Sequence, residues 1–282
     1  MYITDNTLDM FIKEDIPYID LTTSLLGIGD KMGVITFKAR ELTVLACIEE
    51  VKRIFKKLDI KVKKSLPSGT TVEKGDIFLV GEGRAENLHM AWKLSLNILE
   101  YCCGIATRTK KLVDAAKEVN SNISVVTTRK SFPGTKELTI KSIMAGGAMP
   151  HRLGLSETVL VFKNHTKFLG GVDGLISKIP HMKIHASEKK LIVEVENSED
   201  AIKLAKAKVD GLQFDKFSCD ELKEIIKKVK EINPSIVAIA TGGVNLTNAK
   251  DYAKTGADAI ATTSVYFGKP SDIGATIEEM KN

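Results

Sequence analysis

From residue 105 onward the chain alternates short apolar runs with amphipathic stretches, and this constrains the fold more than any other feature. Runs at 123–127, 158–162, 191–195, 211–214, 236–240 and 258–262 have strand length, and all but 211–214 (GLQF) are rich in Val, Ile or Ala. Between and around them, residues 107–119, 135–146, 166–178, 198–207, 219–231 and 247–254 space their apolar residues as helices do, and 272–280 is expected to form a last helix. Strands apolar on both faces and separated by helices imply a parallel sheet covered on both sides. Six such units are too few for a full eight-stranded barrel. The expectation is a small, open α/β barrel, with a doubly wound sheet as the alternative.

The first third is mixed. Residues 8–15 and 50–58 read as helices, 32–37 and 43–47 as strands, and 67–83 as turns with short β runs. A long helix is expected from about 86 to 101. The 282 residues therefore divide into a smaller α/β domain (1–106), the barrel (107–270) and a C-terminal helix (271–282) that packs back on the first domain.

Composition narrows the function classes. A net charge of +5 without dense Lys/Arg blocks suits a small anionic ligand and argues against nucleic acid. The N-terminal segment breaks its apolar residues with Asp, Lys and Glu, and no later stretch has the length to span a bilayer, so a cytosolic protein is expected. Cys47 and Cys219 stand alone and Cys102-Cys103 lie in an apolar helical pattern, which suits reduced core thiols rather than a metal site.

The candidate site gathers at the strand ends, where α/β folds place their chemistry. The run 123–127 leads into Arg129-Lys130, and Glu194 interrupts an otherwise apolar strand. The next ends are Asp215, Thr241-Gly242-Gly243 and Thr263-Ser264, and His151-Arg152 precedes the strand at 158–162. The glycine pair lets backbone N–H groups approach an anion just before a helix expected near Asn245, and the neighbouring hydroxyls add donors. Arg129, Lys130, His151 and Arg152 suit carboxylate or phosphate binding. Glu194 and Asp215 suit ribose hydroxyls or a hydrated Mg²⁺.

These residues also carry a resemblance. The segments TTRKSFPGTKEL (127–138), PHRLGL (150–155), VEVENSEDA (193–201), FDKFS (214–218) and ATGGVNLTN (240–248) resemble the signature blocks of quinolinate phosphoribosyltransferases. KED (13–15), DLTT (20–23) and LNILEYCCGIAT (96–107) match further blocks, so the likeness runs end to end.

The resemblance implies an N-terminal α/β sandwich followed by an open, incomplete TIM-like barrel. It implies transfer of ribose-5-phosphate from phosphoribosyl pyrophosphate to quinolinate or a related aromatic acid, with Mg²⁺, in NAD biosynthesis. It also implies a homodimer or larger assembly in which Lys93 reaches the partner's barrel. Arg129, Lys130, His151 and Arg152 would bind the acid and pyrophosphate. Glu194 and Asp215 would serve ribose and metal, and Thr241, Gly242, Gly243, Thr263 and Ser264 the 5-phosphate. The chain departs from the pattern at several points: Trp92-Lys93 replaces an acidic-basic pair, Thr241 a Ser, and a Gly near Thr263 is lost. Phe162 stands where a substrate-binding Lys is expected, and Lys163 follows it on the opposite strand face. The run 145–162 resembles a branch of the family associated with molybdenum transport. That leaves a second reading, a non-catalytic anion-binding or regulatory protein linked to molybdate uptake.

Overall fold

The structure, a computed structural model, describes residues 1–281. The chain opens with α1 (Asp5–Asp15), α2 (Leu21–Leu26), β1 (Met32–Ala39), β2 (Thr43–Val44) and α3 (Ile48–Lys57). It continues through β3 (Lys61–Ser65), β4 (Thr71–Val72), β5 (Ile77–Arg84) and α4 (Ala85–Val119). Next come β6 (Ser124–Thr127), α5 (Lys136–Ala145), β7 (Met149–Pro150), β8 (Val159–Val161), α6 (Lys163–Thr166) and α7 (Val172–His185). The rest is β9 (Leu191–Val195), α8 (Ser198–Lys206), β10 (Gly211–Asp215), α9 (Cys219–Ile232), β11 (Val237–Thr241), α10 (Ala249–Ala253), β12 (Ala259–Thr262) and β13 (Ile273–Glu279).

Two compact units result. One comprises Met1–Lys110, Phe132–Gly147 and the residues from Tyr266 on; the other comprises Lys111–Ser131 and Ala148–Val265. In the first, an antiparallel sheet of order β13-β1-β5-β3 packs its alternate residues into a core centred on Phe37, Phe55 and Phe78. Phe37 lies 6.2 Å from Phe55 and 6.5 Å from Phe78, ring centre to ring centre. α3 reaches that core through Ile48, Val51, Ile54 and Phe55, one stripe of a 3.6-residue period. Its acidic first turn (Glu49, Glu50) and basic last turn (Lys56, Lys57) complement the helix dipole. Leu138 of α5 enters the same core, so α5 belongs to this unit.

Two sequence expectations are corrected here. The C-terminal residues form β13, not a helix: Ile273, Ala275 and Ile277 alternate into the core, while Gly274, Thr276 and Glu278 do not. Seven registered residues pair β13 with β1, from Ala39↔Ile273 to Gly33↔Glu279, and this pairing overrides the helix-forming Glu278-Glu279-Met280. Residue 282 lies outside the described residues. The separate helices expected at 86–101 and 107–119 are one helix of 35 residues. Gly104 does not break it. A Cβ there would sit 3.0 Å from Pro270 Cα and Ser271 N, so the glycine admits a crossing backbone.

The second unit carries a parallel sheet of seven strands in the order β7-β6-β12-β11-β10-β9-β8. Each strand neighbours its successor in a ring that stays open between β7 and β8. A doubly wound sheet reverses its order at a switch point; this one does not, so it is an open barrel. β7 supplies a seventh strand that its two residues, Met149-Pro150, do not announce in the sequence. β9 to β12 are buried along almost their full length, as the Val/Ile/Ala-rich sequences of β9, β11 and β12 and the Leu and Phe of β10 require. α9 begins with a reciprocal cap: the Ser218 hydroxyl accepts the Glu221 N–H at 3.3 Å, and Glu221 accepts the Ser218 N–H at 3.1 Å.

Candidate active site

The inner face of the barrel is set by strand parity. Leu160, Ile192, Ile239, Ala259 and Ala261 pack together there, with Val126, Phe162 and Val237 against them. Two residues further along each strand, the period of 2 brings the next inward side chain. From Ile192 that is Glu194, from Ile239 Thr241, from Ala261 Thr263 and from Val126 Thr128. These residues line one cavity of about 680 Å³, together with Arg129, Lys130, His151, Arg152, Phe162, Asp215, Gly242, Gly243 and Ser264. The structure thus brings together every candidate residue named from the sequence except Lys93. Lys93 is an exposed residue of the first unit, its ammonium 4.5 Å from the centre of the Trp92 ring.

At one end of the cavity the chain leaves β11 through two left-handed glycines, Gly242 (φ +87°) and Gly243 (φ +86°). A Cβ on Gly242 would lie 2.5 Å from Asp215 Oδ1 and 2.6 Å from the Lys216 backbone N, so no larger residue fits. The helix expected near Asn245 begins only at Ala249 and is five residues long. Asn245 and Asn248 build the intervening turn, each donating a side-chain N–H to Gly243 O at 3.0 and 3.1 Å. Donors for an anion therefore come from the glycine turn itself, not from a helix dipole. Beside it, Thr262 and Ser264 share a hydroxyl hydrogen bond of 2.8 Å and Thr128 and Thr263 one of 2.7 Å.

The middle of the cavity holds the carboxylates. Glu194 and Gln213 are register partners on β9 and β10, and Gln213 Nε2 donates to Glu194 Oε2 at 2.6 Å. Burial pushes the Glu194 carboxyl above the usual range; the Gln213 hydrogen bond opposes this and the Asp215 charge adds to it. Asp215 Oδ2 lies 3.7 Å from the ammonium of Lys216, a left-handed residue (φ +61°) whose N–H donates to Thr241 O at 2.9 Å. Gln213 and Lys216 line the site although sequence reasoning passed them over. For Gln213 the signal was the same one that exposed Glu194: a polar residue inside an apolar strand.

The other end is cationic. Arg129 and Lys130 are exposed. Arg152 is 8% exposed, and its guanidinium makes no ion pair or hydrogen bond among the described residues. Burial and the Arg129 charge disfavour its protonated form, with Glu157 opposing. Its guanidinium carbon lies 5.9 Å from the centre of the Phe162 ring. Burial, and then the Arg152 charge, also hold His151 below the usual histidine range, and its Nε2 is buried without a hydrogen-bond partner among the described residues. Phe162 faces inward, while Lys163 turns away and pairs with Glu196, as the strand parity requires.

No group of three or more His, Cys, Asp or Glu side chains suited to a metal occurs among the described residues, and no described helix is long and apolar enough to cross a membrane.

Comparison with known proteins covers the chain end to end. Residues 20–103 match the N-terminal domain of quinolinate phosphoribosyl transferase, and residues 105–274 match its C-terminal domain. A protein named pyrophosphorylase ModD from Pasteurella multocida is 36% identical over 279 residues, covering 99% of each chain. Its namesake from Rhodobacter capsulatus is also 36% identical, over 91% of this chain and 98% of its own. Among solved structures, the nicotinate-nucleotide pyrophosphorylase of Ehrlichia chaffeensis superposes with a TM-score of 0.90 at 25% identity, over 99% of this chain and 100% of its own. NadC from Streptococcus pyogenes, at 22% identity and full coverage of both chains, shares the fold with a TM-score of 0.90.

Proposed function

This chain belongs to the quinolinate phosphoribosyltransferase family, and from that premise we propose that it transfers the ribose-5-phosphate group of phosphoribosyl pyrophosphate to the ring nitrogen of quinolinate or a related aromatic acid. The observation that supports the reading is the convergence of polar residues from six of the seven barrel strands on one cavity, with phosphate-type donors at one end, carboxylates in the middle and cations at the other. That order matches the order of groups along the two substrates.

The bond between C1 of the ribose and pyrophosphate breaks with its electron pair going to the pyrophosphate. Positive charge develops on the ribose ring, next to Glu194 and Asp215, and fixed carboxylates there stabilise it. The lone pair of the aromatic nitrogen then forms the new bond to C1. No base is needed, because that nitrogen carries no proton. Thr241, Gly242, Gly243, Thr263 and Ser264 hold the 5-phosphate. Arg129, Lys130, His151 and Arg152 bind the acid and the departing pyrophosphate. With quinolinate as acceptor, the bond from ring C2 to its carboxylate then breaks, CO₂ leaves, the ring carbon takes a proton from water, and the product serves pyridine-nucleotide biosynthesis.

Mg²⁺ fits as a companion of the pyrophosphate rather than as a resident of the protein. Glu194 and Asp215 offer two carboxylates, one already hydrogen-bonded to Gln213, and phosphate oxygens and water suit the remaining positions. Bound there, the ion would neutralise charge on the leaving pyrophosphate. A homodimer in the cytoplasm, with Lys93 supplied by the partner, completes the reading. A monomer by sedimentation at micromolar concentration would remove Lys93 from the site.

The non-catalytic alternative does not account for Glu194 and Asp215, which an anion-binding pocket would repel rather than use. The test is pyrophosphate release from phosphoribosyl pyrophosphate and Mg²⁺ with a panel of aromatic acids, alongside thermal melting. Release with at least one acid, and a raised melting temperature with phosphoribosyl pyrophosphate, are expected. No shift and no release at millimolar ligand would refute the proposal.

A further inference from the structure

A second cavity, of about 380 Å³, lies along β8 at the open seam of the barrel. It shares Arg129, Arg152 and Phe162 with the main cavity, and Thr158, His165 and Lys189 extend it beyond Phe162. The two differ in charge. The main cavity contains Glu194 and Asp215, whereas no carboxylate lines the seam cavity.

Several observations mark this space as suited to an anion. Arg152, almost fully buried, has no hydrogen-bonded or ion-paired partner among the described residues, and an uncompensated buried guanidinium is a costly arrangement. The Thr158 hydroxyl oxygen is buried and also without a hydrogen-bond partner, an equally uncommon state. His165 Nδ1 accepts the Phe162 N–H at 2.9 Å, so a neutral ring carries its proton on Nε2 and remains a donor. The ammonium of Lys189 has only an exposed ion pair with Glu188, at 3.5 Å. Glu157, the carboxylate whose charge reaches Arg152, is turned to the Leu153 N–H.

We propose that the seam cavity is a second anion subsite for the acceptor. It takes a carboxylate carried on a flexible arm of the aromatic base, reaching past Phe162 to Thr158 and Lys189. The inference rests on the transferase reading of the main cavity and specifies its substrate class. Phe162 denies a cation to a second carboxylate on the ring, and the seam offers cations to one displaced from it. Arg152, common to both cavities, lies where such an arm would pass.

The experiment uses the full-length chain and two substitutions, Lys189→Met and Thr158→Val, each checked for native-like melting. Calorimetry compares nicotinate with 2-(2-carboxyethyl)pyridine-3-carboxylate, which adds a carboxylate on a two-carbon arm. The native protein should bind the arm-bearing acid about tenfold tighter or more, the order expected of one charge-assisted hydrogen bond. In both variants that ratio should fall to near one. A native ratio near one, or a ratio that survives both substitutions, overturns the proposal. Inorganic phosphate binding that Lys189→Met abolishes and the arm-bearing acid cannot displace also overturns it, in favour of a free oxyanion. Pyrophosphate release is read separately. Its absence with every acid, while Lys189-dependent binding persists, would sink the transferase reading and leave the subsite standing.

Discussion

Replacing Gly242 by Ala separates backbone strain from loss of site geometry. At φ +87° an L-residue is strained, which costs about 1–3 kcal/mol. That alone should lower the melting temperature by roughly 2–10 °C for a chain of this size class. The new Cβ would also meet Asp215 Oδ1 at 2.5 Å and the Lys216 backbone N at 2.6 Å, well inside ordinary contact. Lys216 cannot easily yield, since it is itself left-handed and its N–H is tied to Thr241 O at 2.9 Å. The Asp215 carboxylate and the glycine turn must therefore separate by a good part of an ångström, and a displacement of about 1 Å in a site can lower the rate by roughly 10²-fold. Gly243→Ala is the internal control: its φ is +86°, but nothing lies within 4 Å of its Cβ position. Steady-state kcat/KM for phosphoribosyl pyrophosphate should fall about a hundredfold in Gly242→Ala and much less in Gly243→Ala, and Gly242→Ala, which adds a clash to the same strain, should also lose more thermal stability. Equal losses of activity in the two variants, or a Gly242→Ala enzyme within a few-fold of native, would refute the reasoning.

Phe162→Lys restores a cation beside the acceptor, and a close charge pair in a desolvated site is worth about 2–5 kcal/mol, so the kcat/KM ratio of quinolinate to less acidic bases should rise at least tenfold. If the native enzyme already favours quinolinate and the substitution changes nothing, Phe162 does not contact the acceptor. Gln213→Leu removes the hydrogen bond that opposes the burial-raised titration of Glu194. On the proposed mechanism the ionised carboxylate is the active form, so the acid limb of the kcat/KM profile should move to higher pH; an unmoved limb would detach Glu194 from the rate. In the first unit, burial raises the Glu49 carboxyl, but hydrogen bonds from the Ser68 hydroxyl (2.6 Å) and N–H (3.1 Å) help to lower it to about 2. A depressed carboxylate stabilises the fold above its unfolded pKa and loses that contribution as pH falls. The stability deficit of Ser68→Ala in urea melts should therefore be full above pH 4.5 and close as pH approaches 2; a deficit independent of pH would mean the bond to Glu49 is not its source.

What was legible in the sequence was whatever local pattern could carry. The Val/Ile-rich barrel strands were legible because a strand buried on both faces must be apolar throughout, and the polar residues at their ends stood out against that background. β7 was not, because Met149-Pro150 is defined only by its pairing with β6. The closing residues of β13 favour a helix, and the partner that decides for a strand, β1, lies more than 230 residues away in sequence. The unbroken α4 depends on a backbone segment near Pro270 that crosses Gly104, and no local pattern announces a crossing. Lys93 is a different case: the resemblance assigns it to a partner's barrel, a placement that one chain does not display.

The inward set of the site followed from parity alone, and this is why Phe162 carries weight. Leu160 packs with Ile192 and Ile239 on the inner face, so Phe162, two residues on, must share that face, and Lys163 must leave it. The structure shows both: Phe162 lines the cavity and Lys163 pairs with Glu196. A lysine one position late in a strand cannot stand in for one in register, because the intervening rotation sends its side chain to the other side of the sheet. The apolar wall at residue 162 is therefore a property of the site rather than a displaced cation. Arg152 is buried against that wall without a carboxylate partner among the described residues, and on the proposed reading it is the residue that the acceptor pairs with. An acceptor that placed a second ring carboxylate against Phe162 would bury that carboxylate with no cation in register beside it, which costs binding free energy that a less acidic base does not lose.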